Sequence, residues 1–518
     1  MSRPEAVQLE LFTHRFAAVA RQMGERLRRT AVSTNVKERL DFSCALLDAA
    51  GELVVNAPHI PVHLGALGLC VRRLRETVAM APGDVLVTNH PAFGGSHLPD
   101  VTVVTPVFAK DGAVLGYVAS RAHHAEIGGV RPGSMPPGAR RLIDEGVVIP
   151  PSYLVYRGEP RWEEVRELLT GAPYPTRAVE ENLADLRAAV AANHGGAEAL
   201  AALARRHGRE TVAHYMEALK SRAEERLREA LARLPAGAYE ATERLDDGSP
   251  IAVRIGISEA GARIDFTGSA GVHPGNLNAP PAVTRSAVIY VLRLLIAEPL
   301  PLNEGLLRAV DIHLPEGMLN PPFPDDPAAA PAVVGGNVET SQRVVDTLLK
   351  ALRLAACSQG TMNNLLFGNS RFGFYETVCG GAGAGPGFHG ASAVHTHMTN
   401  TRITDPEVLE HRYPVRLERF AIRRGSGGAG QWHGGDGTVR ELTFLEPVSL
   451  SLLTQHRVER PYGMEGGEPG AAGSQKVVRA SGDIVELGPV DGCEVGPGDR
   501  LVLETPGGGG WGPHPRPL

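Results

Sequence analysis

Between Asp100 and Ala119 the chain reads DVTVVTPVFAKDGAVLGYVA, two apolar segments around Lys110-Asp111-Gly112. β-Branched residues on both sides of an Asp-Gly turn specify an antiparallel hairpin. Val101, Val103 and Val107 share one face of its first strand. That hairpin dictates what meets at its open end. His97 and Asp100 stand where the first strand begins, and His123, His124 and Glu126 follow the second. Imidazoles and carboxylates gathered in this way can hold a divalent metal, which suits hydrolytic or carboxylating chemistry.

The segments around the hairpin predict a mixed α+β chain. Phe12, Phe16, Val19, Met23 and Leu27 fall on one face of a helix over about residues 5–31. RLDFSCALLDAAGELVVN gives two short strands around a turn at Asp48 to Gly51, and His59 and His63 lie in the Pro-flanked loop that follows. Leu64 to Met80 reads as a helix. Pro132 to Pro151 is a Pro/Gly-rich loop of the length usually reserved for a lid or ligand-binding segment. Residues 177–234 are rich in Ala, Leu, Glu and Arg and predict helix, with an interruption expected at His194-Gly195-Gly196. A boundary near Pro235-Ala236-Gly237 divides the chain into an N-terminal α+β region, 1–236, with the metal-ligating residues, and a β-rich, glycine-rich region, 237–518.

Composition excludes several classes of function. The net charge is −6 and the arginines are dispersed, so nothing favours nucleic acid or a membrane surface. The start, MSRPEAVQLELFTHRF, has no basic segment followed by an apolar core, and no apolar run is long enough to span a bilayer. Five scattered cysteines without a CxxC point to a reduced, cytoplasmic protein.

The His97-x-x-Asp100 pair offers one nitrogen and one oxygen ligand, and His123 or His124 a second nitrogen, since adjacent side chains of an extended segment point oppositely. Asp41, opening a strand between Leu40 and Phe42, is the candidate for a further carboxylate ligand or, if it is not a ligand, for a catalytic group that takes or relays a proton. Glu126 and Glu145 are candidate general bases or orienting carboxylates, and His124 a structural or substrate-facing ring. His395 and His397 would share a face of a strand as a second ligand pair. Cys379, beside a glycine run, has no evident base. The glycine clusters, GAGAGPGFHG and TPGGGGWG among them, lack the Lys-Ser/Thr of a phosphate loop and the acidic residue of a dinucleotide fold, so tight turns are expected there rather than ATP.

Taken in order, ERLDFSCALLDAAGELV (38–54), GGSHLPDVTVVTPVF (94–108), HHAEIGG (123–129), EGVVIPP (145–151), GNVETSQRVVDTLLKAL (336–352), GSGGAGQWHGGDG and TPGGGGWG resemble the hydantoinase B/oxoprolinase family. Its relatives include the large subunits of acetone and acetophenone carboxylases. The resemblance implies a hetero-oligomer in which a hydantoinase A-type subunit binds ATP and phosphorylates the substrate oxygen. The B-type subunit then finishes the reaction at one divalent ion, Zn2+ or Mn2+. Carried over by position, the metal ligands are Asp41, His97, Asp100 and His123, with His123 preferred to His124. The implied activity is ATP-dependent hydrolysis of a cyclic amide such as a hydantoin, 5-oxoproline or a lactam. Carboxylation of a ketone is the alternative, and a metal-free structural partner of the A-type subunit is a third. The chain departs from the family pattern at His90, where Asp is common, and at Glu126, where Asp is again usual.

Overall fold

The computed structural model describes residues 5–56, 60–259 and 261–513. Helix α1 (Glu5–Thr30) buries Phe12, Phe16, Val19, Met23 and Leu27, the face its spacing predicts. It lies on a seven-stranded sheet built from β1 (Phe42–Asp48), β2 (Leu53–Asn56), β3 (Val85–Thr88), β4 (Asp100–Phe108), β5 (Val114–His123), β6 (Ser152–Tyr156) and β7 (Glu159–Pro160). The strand order is β2-β1-β5-β4-β3-β6-β7, and every pairing is antiparallel. Val101, Val103, Val107 and Val118 pack towards α1 and the helix Val179–His207. Val104, Tyr117 and Ala119 pack on the other side against Leu67, Cys70, Val71 and Leu74 of the helix Ala66–Thr77. Both faces are therefore covered, which explains why β4 is apolar at successive positions instead of alternating.

The helix Val179–His207 runs unbroken through His194-Gly195-Gly196, so the interruption expected there is absent. A Cβ on Gly196 would collide with the Met23 sulfur, and one on Gly195 with the Arg26 guanidinium. These glycines serve close packing against α1. The chain breaks instead at Gly208, whose φ of 84° is left-handed. Among the described residues no helix is long and apolar enough to cross a membrane.

Beyond the helix Arg209–Ala232, the strands Gly237–Arg244, Pro250–Ser258, Gly261–Asp265 and Val310–His313 form a four-stranded sheet. The helices Pro281–Leu294 and Ser341–Ala351 share its apolar core, which also takes in Ile60, Val62 and Leu64. A π-turn, Gly336–Thr340, leads into the second of these helices. Glu145 ties that region to the long Pro/Gly loop: its Oε1 accepts the amides of Val333 (2.9 Å) and Val334 (2.8 Å). Burial pushes the Glu145 carboxyl up to about 8 against those two donors. Two further sheets, of four and five strands, enclose Phe367, Phe374, Phe444, Leu450 and Leu501.

Gly387 and Gly425, both with a positive φ, sit in turns as expected, but the cluster 507–510 does not. None of Gly507, Gly508, Gly509 and Gly510 has a positive φ. They run as one segment that donates to four different neighbours, the carbonyls of Ala471, Gly435, Cys357 and Glu468. A Cβ on each in turn would collide with a carbonyl oxygen, of Ser426, Ala382, Tyr462 and Ala429 respectively. This cluster packs backbone against backbone from several sides at once, a density that any side chain would prevent.

Gly508→Ala is therefore expected to cost about 3 kcal/mol in denaturant unfolding, whereas Gly256→Ala, with open space around its would-be Cβ, should change stability by less than about 1 kcal/mol. Equal effects would refute the packing account. A second expectation concerns Glu145. Its carboxyl is neutral in the folded chain up to about 8, but ionises near the ordinary value of 4.5 when unfolded. The stability this group contributes is complete below the unfolded value and is lost as pH rises through the folded one. Glu145→Gln, which keeps the acceptor, should therefore gain on the parent in melting temperature between about pH 5 and pH 9. A pH-independent difference would be inconsistent with a buried neutral acid.

Candidate metal centre

The hairpin register sets the centre. Asp100 opens β4, His123 closes β5, and the two are direct partners across the pair. His97 sits three residues ahead of Asp100, in a loop folded by the short turn Pro91–Phe93. Ligand atoms of His97, Asp100 and His123 lie within 4.8 Å of one another, and all three side chains are buried. His97 Nε2 is 3.2 Å from Asp100 Oδ2, and His123 Nδ1 is 3.4 Å from Oδ1. Both ring nitrogens of His97, Nε2 of His123 and Oδ1 of Asp100 nevertheless have no hydrogen-bond partner. Buried polar atoms left unpaired cost free energy, and a cation shared by two imidazoles and a carboxylate removes that cost at one nitrogen of each ring and at the carboxylate.

Electrostatics suits the same role. Burial alone would raise the Asp100 carboxyl, but the facing His97, His63 and His123 hold it well below the usual carboxylate range. Burial lowers His123 against the opposing pull of Asp41 and Asp100, which keeps a lone pair free for coordination. Two further side chains hold Asp100 Oδ2: Ser96 Oγ donates at 2.5 Å and His63 Nε2 lies at 3.2 Å. His63 is itself fixed through Nδ1 to Ser43 Oγ, at 3.0 Å.

Asp41 is 5% exposed; its carbonyl accepts the His123 amide at 3.0 Å and its carboxylate stands 3.7 Å from Arg39. Its charge acts on His123, but its oxygens are outside the group of three that converges within 4.8 Å. His124 turns the other way, with Nδ1 on Asn182 at 3.0 Å, and burial lowers its pKa. Glu126 is engaged by the amides of Gly128 (2.7 Å), Gly133 (3.0 Å) and Arg177 (3.3 Å) and by the Arg177 guanidinium (3.1 Å). Burial still raises its pKa against those donors. It clasps the loop that follows the hairpin. Glu145, held at Val333 and Val334, keeps Oε2 unpaired. His90 caps the Pro91–Phe93 turn, its Nδ1 accepting the Ala92 amide at 3.1 Å.

His395 and His397 do not lie on a strand, which corrects that expectation. His397 adopts a φ of 53° and places Nε2 3.1 Å from Asp346, while burial lowers His395 to about 4. A left-handed residue cannot extend a pleated strand, so the two rings are not held as alternate members of one face. Burial also raises the Cys379 thiol. His59 lies outside the described residues.

Sequence reasoning missed His63 and Tyr375. The Tyr375 ring stacks on His123 with centroids 4.4 Å apart and planes at 18°. FGFYET signals a strand and nothing more, and His63 has no spacing relation to the hairpin. Their proximity is a product of tertiary packing.

A sequence profile of the hydantoinase B/oxoprolinase family matches residues 5–514. The chain is 46% identical to 5-oxoprolinase 1 of Arabidopsis thaliana over 534 residues, covering 98% of this chain and 42% of that protein. It is 44% identical to a 5-oxoprolinase of Saccharomyces cerevisiae over 543 residues, again covering 98% of this chain and 42% of the other. It thus spans less than half the length of these relatives. The crystal structure of an ATP-dependent caprolactamase from Pseudomonas jessenii superposes with a TM-score of 0.89 at 26% identity, over 99% of this chain and 93% of the other. By its sequence along nearly all of its length, the chain belongs to the hydantoinase B/oxoprolinase family.

Proposed function

We propose that this chain is the ring-opening unit of an ATP-dependent cyclic amide hydrolase of the hydantoinase, 5-oxoprolinase or lactamase type. It acts on a substrate phosphorylated by a separate hydantoinase A-type, ATP-binding unit. The observation that carries the reading is the convergence of three buried ligand groups, His97, Asp100 and His123, each with an atom left unpaired, in a chain related to 5-oxoprolinases. In this reading Asp41 is the fourth ligand of a single Zn2+ or Mn2+ ion. A divalent ion in such a site supplies Lewis acidity and lowers the pKa of water.

The chain's own residues supply the rest. Asp100 stays ionised, because His97 and His63 face it and Ser96 donates to it. His97 and His123 are enclosed, so solvent does not compete for their nitrogens. Glu126 and Arg177 hold the loop 126–134 against the open end of the hairpin, just beyond His123 and His124. His124, anchored on Asn182, keeps its neighbour's ring turned towards Asp100. The glycine clusters are engaged in backbone packing, in keeping with a nucleotide site on another unit. A lactam carbonyl is a poor electrophile until its oxygen is phosphorylated, and the activated species must be shielded from bulk water.

Reconstituted with its A-type partner, the protein should consume ATP in response to a lactam or hydantoin and release the ring-opened acid. Consumption that instead requires bicarbonate would reject hydrolysis in favour of ketone carboxylation. Asp100→Asn is expected to abolish stoichiometric metal in an elemental scan and to lower ring opening more than about a hundredfold. Full activity of a metal-free preparation would leave the chain a structural partner only.

A further inference from the structure

Tyr375 touches His123, and its own position is determined from behind. Its hydroxyl is 2.9 Å from Asn364 Oδ1. Asn364 Nδ2 has two partners, the Leu453 carbonyl (2.6 Å) and Glu339 Oε1 (2.6 Å). A backbone carbonyl can only accept, so this end of the amide must be the NH2 group, and the end facing Tyr375 must be the oxygen. The Tyr375 hydroxyl is thereby an obligatory donor. Glu339 Oε1 also accepts the Met362 amide at 3.1 Å, while its Oε2, fully buried, has no partner. Burial pushes the Glu339 carboxyl up to about 8 against the opposing pull of Thr361, Met362, Arg457 and Asn364. Glu339 lies on the π-turn Gly336–Thr340, an irregularity that recurs at functional sites. Arg39 adds a separate restraint: its guanidinium carbon is 4.8 Å from the centre of the Tyr375 ring, and Nη1 donates to the Tyr375 carbonyl at 2.8 Å.

We propose that Tyr375, Asn364 and Glu339 form a positioning chain for the metal centre, in which Glu339 fixes Asn364, Asn364 fixes the Tyr375 hydroxyl, and the Tyr375 ring fixes the plane of His123. The inference rests on the metal reading above and extends it to residues on a distant π-turn and strand. Histidine ligands are ordinarily oriented by a hydrogen bond to their second nitrogen. At His123 the stacked Tyr375 ring adds a restraint on the plane of the imidazole that a single hydrogen bond does not supply.

The test is metal affinity, measured on the purified chain by competition with a chelating dye, together with the absorption spectrum of the Co2+-substituted protein. Tyr375→Leu should weaken affinity by about tenfold to a hundredfold and alter the Co2+ spectrum. Tyr375→Phe, which deletes only the hydroxyl, should weaken it by several-fold. Glu339→Gln retains the acceptor for Asn364 and should bind as the parent does, whereas Glu339→Leu should resemble Tyr375→Phe. Parental affinity and spectrum in a folded Tyr375→Leu, or in Tyr375→Phe should the leucine variant not fold, would overturn the proposal and leave the metal reading intact. A parent chain that binds no divalent ion would overturn both.

Discussion

The register of one hairpin is the constraint on which the centre depends. Asp100 and His123 meet because β4 and β5 pair without a slip between the turn at Lys110-Asp111-Gly112 and the open end, apart from one irregularity near Phe108. A shift by one residue would turn each side chain of a strand to the opposite face. Here both faces are packed, one against α1 and the helix Val179–His207, the other against the helix Ala66–Thr77. Such a shift would therefore disrupt two cores as well as the metal-ligating group. The apolar layers on either side of the sheet hold an imidazole and a carboxylate in register several residues away.

Much of this was legible in the chain itself. The hairpin, the amphipathic α1 and the paired strands β1 and β2 all follow from local periodicity and turn chemistry. So does the meeting of His97, Asp100 and His123, because a hairpin is a local structure whose open end can be found by counting. His63 could not be found that way. It reaches Asp100 from a separate turn, and only the folded core, with Ile60, Val62 and Leu64 buried beside it, brings it there. Tyr375 and Glu339 come from segments more than two hundred residues downstream. Glycine misled for a different reason: its role in turns is a matter of φ, visible in local sequence, whereas its role in close packing depends on a neighbour the sequence does not identify. Gly196 and Gly508 belong to the second kind.

Two buried acids flank one polar stretch of the fold. Glu145 receives the amides of Val333 and Val334, and Glu339 those of Met362 and the Asn364 side chain. Each keeps one oxygen unpaired, and burial raises both. The arrangement differs from that of Asp100, equally buried but surrounded by three imidazoles, where the same desolvation is overcome. Carboxyl groups of similar burial thus do opposite work: one carries charge at the metal-ligating group, and two serve as neutral hydrogen-bonding braces for the segments behind it.

The glycine segment 507–510 has a consequence for the order of events as the polypeptide is made. It contacts Ser426, Ala382, Tyr462 and Ala429 and donates to Cys357, Gly435, Glu468 and Ala471, all of which leave the ribosome before it does. Until residues 507–510 have been made, those older segments lack the backbone partners that this segment supplies in the folded chain. Synthesis adds roughly 5–20 residues each second, so the interval from Cys357 to Gly510 lasts on the order of ten seconds. Throughout that time the carbonyls of Cys357, Gly435, Glu468 and Ala471 lack the donors that Gly507 to Gly510 provide in the folded chain.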